Sequence, residues 1–223
     1  MQQIDLKELF QELYENYHEQ HWWPANSKFE VCIGAILTQN TAWKNVELAI
    51  KNLKKAKLLS AEKIHQEDES KIAELIKSSG YYNQKAKSLK LFCKHLAENY
   101  SFDLEKMFDK PISELRKELL SLHGIGKETA DSIILYAANK PIFVIDAYTK
   151  RIMGRITCNI EDKKYDNYDD LQNYFHENLK PNARIYNEMH ALLVEHAKLY
   201  CKKEPSCGKC FLKTKCAFVK NVS

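Results

Sequence analysis

LLSLHGIGKETADSIILYAANKPIFVIDAYTKR, residues 119–151, reads as helix, tight turn, helix, then a short apolar run that ends in a single acid. Ile112, Leu115, Leu119 and Leu122 keep the spacing of a helix with one buried face. His123-Gly124-Ile125-Gly126 breaks that pattern, and both glycines are free to take backbone angles that a side chain forbids. A second helix follows, with Ala130, Ile133, Ile134 and Ala137 on one face. A glycine turn that opens a helix presents free N–H groups at the positive end of the helix dipole, a geometry suited to phosphate. An ordinary helix-turn-helix corner has the same local spelling.

Twenty residues beyond Gly126 stands Asp146, preceded by the apolar run Pro141-Ile142-Phe143-Val144-Ile145. That placement predicts a carboxylate at the edge of a core. Its plain structural use is to cap the helix that follows.

Toward the N-terminus, Leu6, Leu9, Phe10, Leu13 and Tyr17 predict an amphipathic helix. His21-Trp22-Trp23-Pro24 comes next; two adjacent tryptophans cannot both point inward from one helix face, so one lines a cleft or plugs a seam. Ser27 and Glu30 spell a capping box, and the nearly continuous apolar stretch Phe29 to Leu37 predicts a helix buried on most sides. It ends in Thr38-Gln39-Asn40-Thr41, a polar tip on a rigid element. Beyond Trp43, Val46, Ala49, Ile50 and Leu53 face inward, and Lys51, Lys54, Lys55 and Lys57 read as a solvated face. Residues 69–78 read as a helix closed at Gly80. Ala86, Leu89, Phe92, Cys93 and Leu96 mark another, opened by Tyr81. Helix is expected over 145–157, a polar link over 165–167, and two further helices carry Leu171 to Leu179 and Ile185 to Tyr200. Strand-like alternation does not persist anywhere, so the fold class is all-α, with about ten helices.

The chain has 223 residues, 44% hydrophobic, with six glycines, five prolines and a formal net charge of +4. Such a length supports a real core. The mild positive charge permits a nucleic-acid partner without requiring one. Neither a bilayer-spanning apolar run nor a signal peptide is legible, and a cytoplasmic protein is expected. Of seven cysteines, Cys32, Cys93 and Cys158 read as buried thiols. Cys201, Cys207, Cys210 and Cys216 are spaced C-x5-C-x2-C-x5-C, and four thiolates so close predict a tetrahedral sulfur site holding zinc or an iron–sulfur cluster. The lysines around them make a basic loop, suited to phosphate contact or simply to solvent.

LHGIGKETA followed by VIDAYTKR resembles the helix-hairpin-helix plus Gly/Pro-rich loop and aspartate of the endonuclease III superfamily of DNA glycosylases. The resemblance extends over nearly the whole chain. It implies a two-domain helix-hairpin-helix glycosylase fold: residues 27–140 as a helical domain with the hairpin at 119–138, residues 1–26 plus 141–223 as a second one with a cluster loop at 201–216, and a cleft between them. LTQNT resembles the segment whose glutamine enters the space left by a flipped nucleotide, which assigns that role to Gln39. GYYNQKA resembles the loop carrying the wedge, with Tyr81 at its point and Asn83 beside it. His123, Gly124, Gly126 and Lys127 fall on the DNA-binding hairpin, and the four cysteines on a [4Fe–4S] loop whose usual first interval is one residue longer.

The implied chemistry is hydrolysis of a base–sugar bond in a flipped nucleotide, with Asp146 stabilising the oxocarbenium-like transition state. Strand-cutting members carry a lysine nucleophile two positions after the second hairpin glycine; here Glu128 stands there, and Lys127 lies about 100° away around the helix. A monofunctional enzyme is therefore expected. HWWPANSKFE, LTQNT and SGYYNQKAK are most similar to the 3-methyladenine DNA glycosylase III branch, which places Trp23, Pro24 and Trp43 at the base pocket. A ring-alkylated purine is cationic, and aromatic faces attract cations by roughly 0.5–2 kcal/mol. The expectation is excision of alkylated purines from damaged double-stranded DNA in base excision repair, by a monomer associated with the nucleoid. Removal of oxidised pyrimidines or of mismatched thymine or uracil stays open, as does a non-catalytic damage-binding module.

Overall fold

The computed structural model describes residues 4–157 and 167–222, and no strand occurs among them. The helices are, in chain order, α1 (Leu6–Tyr17), α2 (Lys28–Leu37), α3 (Trp43–Lys55), α4 (Ala61–Gln66), α5 (Glu69–Leu75), α6 (Tyr82–Tyr100), α7 (Leu104–Phe108), α8 (Ile112–Ser121), α9 (Lys127–Ser132), α10 (Ala147–Thr157), α11 (Tyr168–Asn178), α12 (Ala183–Leu199) and α13 (Ala217–Val222). The chain divides into two compact units, Trp23–Lys140 and the discontinuous Met1–Trp22 with Pro141–Ser223.

The first unit is built round α2. Its N-terminus is closed as the sequence spells it: Ser27 Oγ accepts from Glu30 N at 3.1 Å and Glu30 Oε2 from Asn26 N at 3.1 Å. Every residue from Glu30 to Leu37 is buried. Packing α2 among α3, α6 and α9 leaves no solvated stripe, which is why its apolar run is continuous. Lys54 departs from the solvated face expected of it: its ammonium lies 2.6 Å from Glu30 Oε1, neutralising an acid that α2 carries into the interior. The helix expected over 69–78 ends earlier, at Leu75, and gives way to a 3-10 turn at Lys77–Ser79 before Gly80 at φ +67°. Helix α9 runs into one π-helical turn, Ile133–Ala137.

In the second unit the apolar run Ile142–Ile145 is buried without being helix or strand. Buried backbone must still find partners, and α11 supplies them: His176 Nε2 accepts from Phe143 N at 2.9 Å, and Gln172 Nε2 donates to Phe143 O at 2.6 Å. The Phe143 ring stacks on Phe175 at 3.8 Å between centroids and meets the edge of Tyr186. Helix α10 begins at Ala147, two residues later than expected, because Asp146 stands outside it as its cap. Cys32 and Cys93 are fully buried, as expected of apolar thiols. Cys158 and most of the link expected over 165–167 lie outside the described residues.

Candidate active site and DNA interface

The hairpin turn is fastened from α2. Gln39 Nε2 donates to Gly124 O at 2.9 Å and to Thr129 Oγ1 at 3.1 Å, so the polar tip after α2 and the hairpin share hydrogen bonds. Only one of the two glycines needs its freedom. Gly124 sits at φ +81°, and a Cβ there would fall 2.0 Å from Ser88 Oγ. Gly126 is extended, and a Cβ on it would meet nothing within 4 Å. Ile125 is buried and anchors the turn, while His123, Gly124, Gly126, Lys127 and Glu128 are exposed.

A surface pocket of about 220 Å³ gathers Gln39, Tyr81, His123 and Gly124 with Asn40, Gln84 and Lys85. Asn83, Gly126 and Lys127 lie outside its lining. Tyr81 is 68% exposed, a large apolar ring held in water. It stands at φ +46°, and Asn40 across the pocket at φ +53°. Left-handed backbone at residues other than glycine costs free energy and is concentrated at functional turns.

Trp23 and Trp43 come together, and Tyr136 joins them. The indoles meet edge to face at 5.1 Å and 90°, and Trp23 lies 5.1 Å from Tyr136 at 53°. The two tryptophans are thus perpendicular, not the parallel faces of a slot. Gly34 makes room for them: a Cβ there would stand 3.1 Å from Trp23 Cζ2. Trp43 Nε1 donates to Glu47 Oε1 at 3.0 Å, which brings a carboxylate to the rim of the group. Pro24 is exposed beside Trp23. Tyr136 is legible in the sequence only as one aromatic among apolar neighbours. The π-helical turn adds a residue to one helical turn and re-aims the side chains around it, a device frequent at functional sites.

Asp146 holds two positions at once. Its Oδ1 accepts from Thr149 N at 2.7 Å, and its Oδ2 lies 3.6 Å from His190 Nε2 on α12. The carboxylate is 13% exposed and the imidazole 9%. Burial pulls the His190 pKa below its ordinary value, and the neighbouring carboxylate offsets part of that. Sequence reading passes over His190, because a histidine inside the apolar run Met189–Val194 reads as core.

The four C-terminal cysteines line one pocket of about 30 Å³, walled by Ile152, Ile156, Leu212 and Phe218. Arg155 Nη1 donates to Cys201 Sγ at 3.4 Å and to Lys202 O at 2.6 Å, and Arg151 Nε to Cys201 O at 2.7 Å. Burial, with the other thiols adding to it, raises the Cys210 and Cys216 pKa values. Grouped thiols that resist ionisation this way become ligands when a cation compensates their charge. No three His, Cys, Asp or Glu side chains among the described residues close on a single metal ion.

Residues 33–181 match the HhH-GPD superfamily of base excision DNA repair proteins, and the chain belongs to that family. It is a DNA glycosylase of this family. A Methanocaldococcus jannaschii protein that carries the provisional name of DNA repair glycosylase is 49% identical over 93% of this chain and 94% of its own length. The crystal structure of H. pylori 3-methyladenine DNA glycosylase bound to 1,N6-ethenoadenine superposes with a TM-score of 0.76 at 30% identity, covering 87% of this chain and 98% of that one. A trapped endonuclease III–DNA covalent intermediate superposes with a TM-score of 0.83 at 20% identity, over 99% of both chains, and shares the fold.

Proposed function

We propose that this protein removes alkylated purines of the 3-methyladenine type from duplex DNA and leaves an abasic site without cutting the strand. The aromatic group carries the reading. Trp23, Trp43 and Tyr136 offer π faces, and Glu47 adds a negative rim. Both attract a purine made cationic by ring alkylation. Such a base leaves without being protonated first, so a stacking pocket and one carboxylate suffice. Likeness to the H. pylori 3-methyladenine glycosylase at 30% identity supports the same substrate class.

Asp146 is the carboxylate. Its Oδ1 is engaged by the Thr149 N–H, which fixes the side chain, and Oδ2, with His190 Nε2 at 3.6 Å on one side, is the oxygen that serves the sugar cation and the attacking water. A carboxylate so held is already oriented when positive charge develops on the sugar, and no reorganisation opposes it. Glu128, at the position where a lysine nucleophile would stand, cannot form a Schiff base. Gln39 and Tyr81 fill the space left by the flipped nucleotide, with His123, Gly124, Gly126 and Lys127 on the adjacent phosphates and Asn83 beside the wedge.

Cys201, Cys207, Cys210 and Cys216 would hold a [4Fe–4S] cluster. The donor set fits: four thiols line one mainly apolar pocket, the all-sulfur ligation that an iron–sulfur cluster takes. Bound, the cluster would supply four Fe–S cross-links joining the end of α12 to the C-terminal loop.

Methylated duplex DNA, followed by strand analysis with and without alkali, tests the reading. Released 3-methyladenine with breaks only after alkali is expected, and Asp146→Asn is expected to lose at least about a hundredfold in release while still binding DNA. Breaks without alkali would overturn the monofunctional assignment and point to Lys127. No release from methylated DNA, with release from an oxidised-pyrimidine or mismatch substrate, would overturn the alkylpurine assignment.

A further inference from the structure

A buried lysine stands behind the two tips that face the pocket of Gln39 and Tyr81. Lys85, on the first turn of α6, is 5% exposed. Lysines are almost never so buried unless paired with an acid. Its ammonium instead donates to two backbone carbonyls, Leu37 O at 2.8 Å and Ser79 O at 2.6 Å. No carboxylate is among the residues lining the pocket. Burial lowers its pKa to about 8, so the charged form is kept here at a real cost.

The two carbonyls belong to different elements. Leu37 ends α2 and leads directly into Gln39 and Asn40. Ser79 ends the 3-10 turn and leads into Gly80 and Tyr81. The Lys85 backbone N–H also donates to Tyr81 O at 3.0 Å. One residue therefore ties both turns, each of which carries a left-handed residue other than glycine, Asn40 and Tyr81. Strained turns persist only where their surroundings over-determine them. An apolar side chain would be easier to bury but would release both turns.

We propose that Lys85 is a positioning residue: its ammonium locks the Gln39 turn to the Tyr81 turn in one register, so that both tips enter a gap in the duplex together. The inference rests on the reading of Gln39 and Tyr81 as DNA contacts. It adds the element that couples them.

A matched control is built into the same helix. Lys90 Nζ donates to two backbone carbonyls as well, His65 O and Glu67 O, both at 2.6 Å, and it does not line the pocket. Lys85→Met and Lys90→Met are compared in thermal stability and in affinity for two duplexes, one intact and one holding a tetrahydrofuran abasic analogue. Both variants are expected to lose stability. Lys85→Met alone is expected to lose tenfold or more of the preference for the abasic duplex, with intact-duplex affinity within twofold of the parent. Lys85→Gln, whose shorter amide reaches one carbonyl at most, serves if the methionine variant does not fold, and is expected to lose at least threefold. Equal preference in the Lys85 and Lys90 variants would overturn the positioning role. Gln39→Ala and Tyr81→Ala are measured alongside. Loss of preference in both with none in Lys85→Met overturns the coupling alone, whereas no loss in either overturns the reading of the tips and the inference with it.

Discussion

Replacing Gly124 by alanine should destabilise the protein by about 3–6 kcal/mol, and the structure separates the sources. The first is backbone: φ is +81°, a region where an L side chain costs roughly 1–2 kcal/mol. The second is steric. The new Cβ would lie 2.0 Å from Ser88 Oγ and 3.0 Å from Ser88 Cβ. The hydroxyl can rotate away by giving up its 3.0 Å bond to Gln84 O, worth about 1 kcal/mol. The Ser88 Cβ cannot rotate away, so α6 or the hairpin must shift, and overpacking of this kind costs about 1–3 kcal/mol. Any such shift also pulls Gly124 O from Gln39 Nε2. Urea denaturation of the parent, Gly124→Ala, Ser88→Ala and the double variant measures both terms. A fall in the midpoint with unchanged slope is expected for Gly124→Ala, and Ser88→Ala, which costs the parent its bond to Gln84 O, should cost about 1 kcal/mol less in the Gly124→Ala background. If Gly124→Ala is as stable as the parent, or if Ser88→Ala costs the same in both backgrounds, the argument that this turn is closed by α6 is wrong. A total domain stability of about 5–15 kcal/mol makes the effect easy to measure.

Two further predictions concern the second unit. Burial holds the His190 pKa in the fold below its ordinary value, so as pH falls through about 6.5 the unfolded chain takes up this proton first. Protonation then favours the unfolded state, so stability should fall as pH drops through 6.5. His190→Gln should flatten that slope in denaturation curves at pH 7, 6 and 5, and an unchanged slope would show that this histidine does not set it. Cys210→Ser, in the most buried of the four thiol positions, should lose iron and visible absorbance when the protein is prepared anaerobically with iron and sulfide. Full iron content in that variant, or zinc in place of iron in the parent, would refute the cluster assignment.

Much of the site is local and was legible. The α2 cap, its unbroken apolar run and the GxG turn are written within a few residues of one another, because capping and periodicity act over one or two helical turns. The cysteine spacing is also local, and the four thiols do line one pocket. Other features came from contacts distant in sequence. Lys54 reads as solvent-facing, since its place on α3 is on the polar side, but a buried acid 24 positions earlier draws it back. Lys85 carries no local signal of its burial, because a sequence does not reveal that two carbonyls from separate turns will converge on its ammonium.

By itself the sequence determined an all-α chain with a glycine turn between helices, a carboxylate after an apolar run and a closing set of thiols. Each of these follows from periodicity, backbone freedom or short spacing. Only the tertiary structure decided that Gly124 and not Gly126 needs its freedom, that Trp23 and Trp43 meet at right angles with Tyr136 beside them, and that His190 stands 3.6 Å from Asp146. These depend on which faces of which helices pack together. Packing is a sum over residues far apart in the chain, and no local pattern carries it.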